Sequence, residues 1–390
     1  MLGLAALLAS GLAVGSVRLT AAEEAAGWEA LGPAESWIGR LFTPTSGALL
    51  ATNSVPGQVV EQRTLYRSDD AGSTWRAIPY PEDTALIAVS PADHQLLYAA
   101  GKGGVYRSVD GGHGWERVSE PVDGTWLRLE VSPADPSILY GVVQTSPPAE
   151  YGTNRWHEFR VSHDGGSTWE VVRTNHERIL VGTRPCSYGV VALVPHAIST
   201  VRVLTIEGCN DRGMNPAASI SPDEGRTSSP FPDLGYPPWA ATDAVGGGGV
   251  KPERWYVAVY RPGIVYSRIR HSKLVRTDDD GESWTTVFEE ESGDPYKNPR
   301  PVDFVSHVAY NPQYPDDVFA VFERYEPTAE NNREPKLSGF TIRMSRDAGA
   351  TWSDLGANGL PSVHSLQVGI DGRYLFASTP KGVYRLVLAQ

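Results

Sequence analysis

An eight-residue pattern, Ser-x-Asp-x-Gly-x-Thr-Trp, recurs along this chain and limits the folds open to it. Full copies run Ser68–Trp75, Ser162–Trp169 and Ser345–Trp352. Ser108–Trp115 and Thr277–Trp284 carry one or two substitutions, and Ser221–Ser228 keeps the polar frame without the Trp. Successive copies begin 40, 54, 59, 56 and 68 residues apart. Repeats of roughly 40–50 residues mean a stack of supersecondary units, each burying its apolar face on the next.

Each copy sits between two short apolar runs, such as Gly104–Arg107 before and Trp115–Val118 after, which is a hairpin signal. The Asp can accept backbone N–H bonds across the turn, and the Gly can take a positive φ. The Thr suits the start of the next strand, and the Trp supplies a plate for packing on a neighbouring unit. Asp70, Asp110, Asp164, Asp223, Asp279 and Asp347 are therefore read as turn formers rather than catalysts.

Upstream of each copy the same order returns: an apolar strand ending in a Pro turn (Leu86–Asp93), a second strand (Leu96–Ala100), then a third (Gly104–Ser108). With the strand after the motif, each unit has four strands, the composition of a propeller blade. The last unit, from Ser365 to Leu386, has three strands and no motif, whereas Gly27–Gly32 reads like a strand that follows a motif. An N-terminal strand completing the last unit would hide two sheet edges. The expectation is an all-β, seven-bladed β-propeller of four-stranded antiparallel blades spanning 23–390 as one domain, at about 52 residues per blade.

The six octapeptides resemble the Asp-box (bacterial neuraminidase repeat) superfamily of β-propellers, and the resemblance covers most of the chain. Sialidases, xyloglucan-cleaving glycosidases, sortilin-type receptors and photosystem assembly factors share that fold, so the resemblance leaves function open. Sialidases carry an Arg-Ile-Pro signature in the first strand; here Trp37–Phe42 supplies Arg40 without the Ile-Pro. The xyloglucanases are similar over Leu97–Ser108, but their catalytic Asp falls near Lys102, where this chain has no acid. No catalytic pair, metal spacing or phosphate-binding loop is nominated, and no cofactor is expected. Gly246–Gly249 is read as part of the first strand of the fifth unit, close-packed or bulged.

Residues 1–22 read as a signal peptide or an N-terminal membrane anchor. Leu2–Val17 is apolar and uncharged, Arg18 follows it, and Thr20-Ala21-Ala22 suits cleavage. Secretion or a cell-envelope location is expected, with no membrane span in the mature chain. Cys186 and Cys209 flank the first hairpin of the fourth unit at equal distances from its centre, which would allow a disulfide. The net charge of −12 argues against nucleic-acid partners.

In a four-stranded unit the motif turns and the Pro turns share one end, and the longer, variable connections share the other. Ligand-face candidates on those connections are Trp156, Arg212, Tyr236, Trp239, Arg268, Arg270, Tyr296, Arg324 and Tyr325. Aromatic plates and Arg forks can stack on sugars and grip carboxylates. The sequence points to an exported, monomeric, non-catalytic propeller that binds a glycan or protein partner through this open end. The alternatives are a glycoside hydrolase of exo-α-sialidase or xyloglucanase type, and an assembly factor for an envelope or membrane complex.

Overall fold

A computed structural model describes residues 27–45, 47–53, 64–132, 135–146, 155–177, 189–195, 201–207, 217–221, 223–227, 229–230, 240–246, 250–251, 253–262, 269–279, 281–292, 300–327 and 336–388. All regular structure among them is β, in seven antiparallel four-stranded sheets. Sheet I holds Arg40–Thr45, Ala48–Thr52, Leu65–Ser68 and Arg76–Ile78. Sheet II holds Thr84–Val89, Leu97–Gly101, Gly104–Ser108 and Glu116–Ser119. Sheet III holds Thr125–Val131, Leu139–Thr145, Arg155–Ser162 and Glu170–Glu177. Sheet IV holds Gly189–Pro195, Val201–Glu207, Ala217–Ser221 and Ser229–Pro230. Sheet V holds Ala240–Gly246, Trp255–Pro262, Ile269–Thr277 and Thr285–Glu291. Sheet VI holds Val302–Tyr310, Val318–Glu326, Lys336–Ser345 and Ser353–Asp354. Sheet VII takes Ser365–Val368, Tyr374–Thr379 and Gly382–Val387 from the end of the chain and Glu29–Gly32 from its start. The joining ladder is Glu29↔Arg385 and Ala30↔Tyr384.

The core lies between sheets. Leu50 and Leu65 of sheet I pack with Ile87 and Leu97 of sheet II, and Leu86 and Val105 of sheet II with Leu129 and Leu139 of sheet III. Tyr256 and Leu274 of sheet V meet Val308 and Phe322 of sheet VI, and Phe319 of sheet VI meets Leu366 and Leu375 of sheet VII. Phe376 and Val383 of sheet VII pack with Leu41 and Leu49 of sheet I. First strands adjoin one another between sheets II and III, IV and V, V and VI, VI and VII, and VII and I. Because side chains alternate across a strand, each strand feeds the layers on both of its sides.

The motif turns explain why the pattern repeats so closely. In the first copy Asp70 Oδ1 accepts from Ser68 Oγ and Thr74 N (2.8 Å each), and Oδ2 accepts from Thr74 Oγ1 (2.7 Å). Ser68 Oγ in turn accepts from Gly72 N at 2.8 Å. The same set returns around Asp164, Asp223, Asp279 and Asp347. All these bonds favour the ionised carboxylate. The Thr74 hydroxyl, the Thr74 N–H and the Ser68 hydroxyl hold Asp70 down at about 2. Positive φ is not confined to the motif Gly: Ala71, Glu224 and Ala348, each one residue earlier, have φ of 55, 58 and 57°.

Interlocks between neighbouring sheets use this frame. Trp75 Nε1 donates to Leu31 O of sheet VII, and Trp352 Nε1 to Val287 O of sheet V. The Arg before a motif position reaches onto the next sheet's turn: Arg276 Nη1 donates to Ala348 O at 2.6 Å and Arg385 Nη1 to Ala71 O at 3.2 Å.

Several sequence expectations change. The first strand of sheet V is Ala240–Gly246, so Gly246 ends it, and Gly247–Gly249 lie outside the described residues. Trp156, Arg324 and Tyr325 stand in strands, not in loops, because the strands of sheets III and VI run on beyond the apolar core with half-exposed residues. The sequence placed Trp37–Phe42 in one strand; the strand proper begins at Arg40, with Gly39 N already donating to Thr52 O at 2.9 Å. Cys186 and Cys209 lie outside the described residues, as do 1–22. Among the described residues no helix is long and apolar enough to cross a membrane.

Candidate functional site

The sheet register places one first-strand residue of sheets I, II, III, V and VI at a common level, three positions from the motif end. The second-strand residues paired with the first Ser or Thr of their motif are Leu49, Leu97, Leu139, Trp255 and Val318. Three positions further along stand Thr52, Ala100, Val142, Ala258 and Val321, whose first-strand partners are Arg40, Leu86, Arg128, Asp243 and His307. In sheets II, III, V and VI the register shifts just before that residue, so that Ala85, Leu127, Thr242 and Ser306 are bulged out. A β-bulge bends a strand and re-aims the side chains beside it. Recurrence at one level makes this bulged ring of first-strand residues a built feature of the fold.

Charge converges beside this level. The Glu130 carboxylate, two residues nearer the motif end than Arg128 and opposite Tyr140, accepts from Arg40 Nη2 through both oxygens at 3.0 and 2.9 Å. It also accepts from Arg128 Nε at 3.1 Å. Arg40 belongs to sheet I and Glu130 to sheet III, so this bond passes the first strand of sheet II and ties together strands that are not neighbours. Burial alone would raise the Glu130 carboxyl, but the charges and hydrogen bonds of Arg40 and Arg128 together hold it below the usual glutamate range. Arg40 also lies over the Phe42 ring, 4.8 Å from its centroid. His307 Nδ1 is 3.1 Å from Ser306 Oγ. Close by, Trp37 packs at 4.7 Å on His364, whose Nδ1 donates to Ile38 O at 2.8 Å. In this cluster two guanidinium groups face one carboxylate.

A second polar group lies between sheets V and VI. Asp303 is buried and accepts from Arg324 Nη1 at 2.9 Å and Arg343 Nη2 at 2.7 Å, while its own N–H donates to Glu290. Arg324 further donates to Glu326 at 3.3 Å. Its fork is thus engaged within the protein and offers less to a ligand than its residue type suggests. Tyr325 donates to Glu323 at 2.9 Å; burial first and that bond second push its phenol up. Its ring continues an edge-to-face row through Phe304 to Tyr260. Trp156 is half-buried, opposite Thr145.

Of the other sequence candidates, Arg270 lies on Ile269–Thr277, and Arg212, Tyr236, Trp239, Arg268 and Tyr296 lie outside the described residues. Sequence reasoning singled out Arg40 but missed Arg128, Glu130 and the level of Asp243. Only the shared offset from the motif could have found these. Among the described residues no cluster of His, Cys, Asp and Glu could hold a metal ion.

The family described as Sortilin, neurotensin receptor 3 (Sortilin-Vps10) matches residues 63–194. No curated protein matches. Among solved structures, the chain resembles an oligogalacturonate lyase from Vibrio parahaemolyticus with a TM-score of 0.61 at 12% identity, covering 93% of each chain. It resembles the GH74 xyloglucanase from Xanthomonas campestris with a TM-score of 0.57 at 17% identity, covering 92% of this chain and 53% of that one. The chain therefore spans about half the length of that xyloglucanase. YCF48 bound to D1 peptide matches with a TM-score of 0.55 at 14% identity, over 93% of this chain and 97% of that one. At these identities the likenesses show the fold alone, a β-propeller.

Proposed function

We propose that the chain is an exported seven-bladed β-propeller, closed by its N-terminal strand, that binds a glycan or protein partner at the open end without turning it over. The observation that carries this reading is the state of Glu130. A glycosidase needs one carboxyl able to hold and deliver a proton beside a second that attacks or activates water. Glu130 is fixed between two guanidinium groups that keep it ionised, which suits a role as organiser of Arg40 and Arg128. With Trp37 close by, the arginines offer a binding surface for a polar ligand that carries negative charge. The similarity to YCF48, whose structure holds a D1 peptide, over nearly its whole length supports the protein half of this reading.

Glycan and peptide arrays probed with the protein test the reading. Arg40→Ala should weaken retained spots more than tenfold, and Val109→Ala, an exposed change at the motif end, should leave them unaltered. Equal loss in both variants would move the site away from the open end.

The level of Asp243 favours one second reading, a glycoside hydrolase. By register this acid shares its position with Arg40, Arg128 and His307. Turnover of sialosides or xyloglucan oligomers that vanishes in Asp243→Asn would establish it.

A further inference from the structure

The end of the molecule that carries the motif turns has a feature the proposed ligand site does not use. Among the described residues, besides Val109 on the turn of sheet II, four large apolar side chains are exposed there on three consecutive sheets: Val250 of sheet V (66% exposed), Tyr314 of sheet VI (50%), and Ile370 and Val387 of sheet VII (39% and 56%). The first three sit on the turns between first and second strands, and Val387 ends the third strand of sheet VII, opposite Tyr374. Bonds between the turns hold them side by side. Lys251 Nζ lies 3.4 Å from Asp316, Arg254 donates to Pro315 O at 3.3 Å, and Gln313 Nε2 donates to Ile370 O at 3.0 Å. The patch is thus rigid. Isolated exposed apolar residues need no explanation, whereas a contiguous group on one face does.

The chain direction supplies the second observation. Glu29–Gly32 pairs antiparallel with Gly382–Val387, so residues before Glu29 lie beside residues after Arg385, at the end where Val387 is exposed. Residues 27 and 28, the first described, therefore stand at the motif end beside Val387, at the edge of the patch. The sequence before them contains the uncharged apolar run Leu2–Val17.

We infer that the motif end is a lipid-facing surface: it rests on a bilayer into which Leu2–Val17 inserts, with Val250, Tyr314, Ile370 and Val387 dipping into the interface. An apolar segment that joins the chain at the rim of a rigid apolar patch brings both to the same plane, and interfacial binding scales with the apolar area presented there. The open end then faces away from the membrane and is free for a ligand. This orientation goes beyond the ligand reading and does not depend on it.

The full chain, reconstituted in phosphatidylcholine–phosphatidylglycerol vesicles containing a photoactivatable lipid, tests the orientation. After irradiation, lipid adducts mapped by mass spectrometry should fall on peptides carrying Val250, Tyr314 and Ile370. The combined variant Val250→Ser, Tyr314→Ser, Ile370→Ser should lose those adducts at least fivefold while its thermal melt stays within a few degrees. Should the triple variant fail to fold, Tyr314→Ser alone should still lower adducts on its own peptide. Adducts confined to residues before 27, adducts at Trp37 or Leu337 on the opposite end, or protein–protein crosslinks joining two copies through these turns would each overturn the inference.

Discussion

Replacing Glu130 with Gln keeps the shape and one acceptor but removes the charge that Arg40 and Arg128 share. The amide's NH2 would face one of the guanidinium donors. Each guanidinium, ~4 Å from the carboxylate carbon, interacts with it by ~4 kcal/mol at an effective dielectric constant of ~20. Water that follows the loss recovers part of this, since the side chains of Arg40 and Glu130 are 19 and 17% exposed. Breaking a buried pair by removing one partner costs about 3–5 kcal/mol, and this partly hydrated site belongs at the lower limit, about 3 kcal/mol. For a chain of this size the unfolding entropy is roughly 0.8 kcal/mol per kelvin, so the melting temperature should fall by about 4 °C. The difference should also depend on pH. The folded carboxyl is held below its ordinary value of 4.5, so its contribution is complete above that value and is lost as pH falls through the lower folded value. Scanning calorimetry of both proteins at pH 7 and pH 3 would check this. A shift below 1 °C at pH 7, or a gap that does not shrink at pH 3, would refute the reasoning.

Three further outcomes are expected. Removing residues 23–32 takes away the strand paired with Gly382–Val387 and the Leu31 carbonyl bonded by Trp75, so the urea midpoint should drop sharply; an unchanged midpoint would contradict closure by that strand. Gly72→Ala should destabilise by more than the ~1 kcal/mol of an ordinary turn glycine, because φ is +93° and a Cβ would meet Leu31 Cδ1 at 2.4 Å. The ladder Gly189↔Ile206, continued by three positions, would pair 186 with 209, so exported protein should carry a Cys186–Cys209 disulfide, visible as a two-dalton difference in intact mass on reduction.

The parts of the fold legible in the sequence were those set by local chemistry. The Ser, Asp, Gly and Thr of each turn bond within eight residues, so the pattern marks the corner between third and fourth strands wherever it occurs. From those corners the strand order and the pairing of Glu29–Gly32 with the last sheet follow by counting. Strand ends did not follow. Beyond the core, strands such as Val318–Glu326 continue on polar, half-exposed residues that read like loop sequence. The candidate site was the least legible. Arg40 and Glu130 are 90 residues apart, on sheets that are not neighbours, and meet only because first strands converge. The bulges that set the common level leave no composition signal: Ala85, Leu127, Thr242 and Ser306 share no residue type.

The account rests on a propeller that holds a polar ligand at Arg40 and Arg128 and releases it unchanged. Mixed glycan and peptide libraries incubated overnight with the protein, then captured with it and read by mass spectrometry, test this directly. The expected result is a set of components retained by the wild-type protein, lost in Arg40→Ala and recovered at their original masses. Recovery of cleaved products that disappear in Asp243→Asn would contradict the account and make the protein a hydrolase.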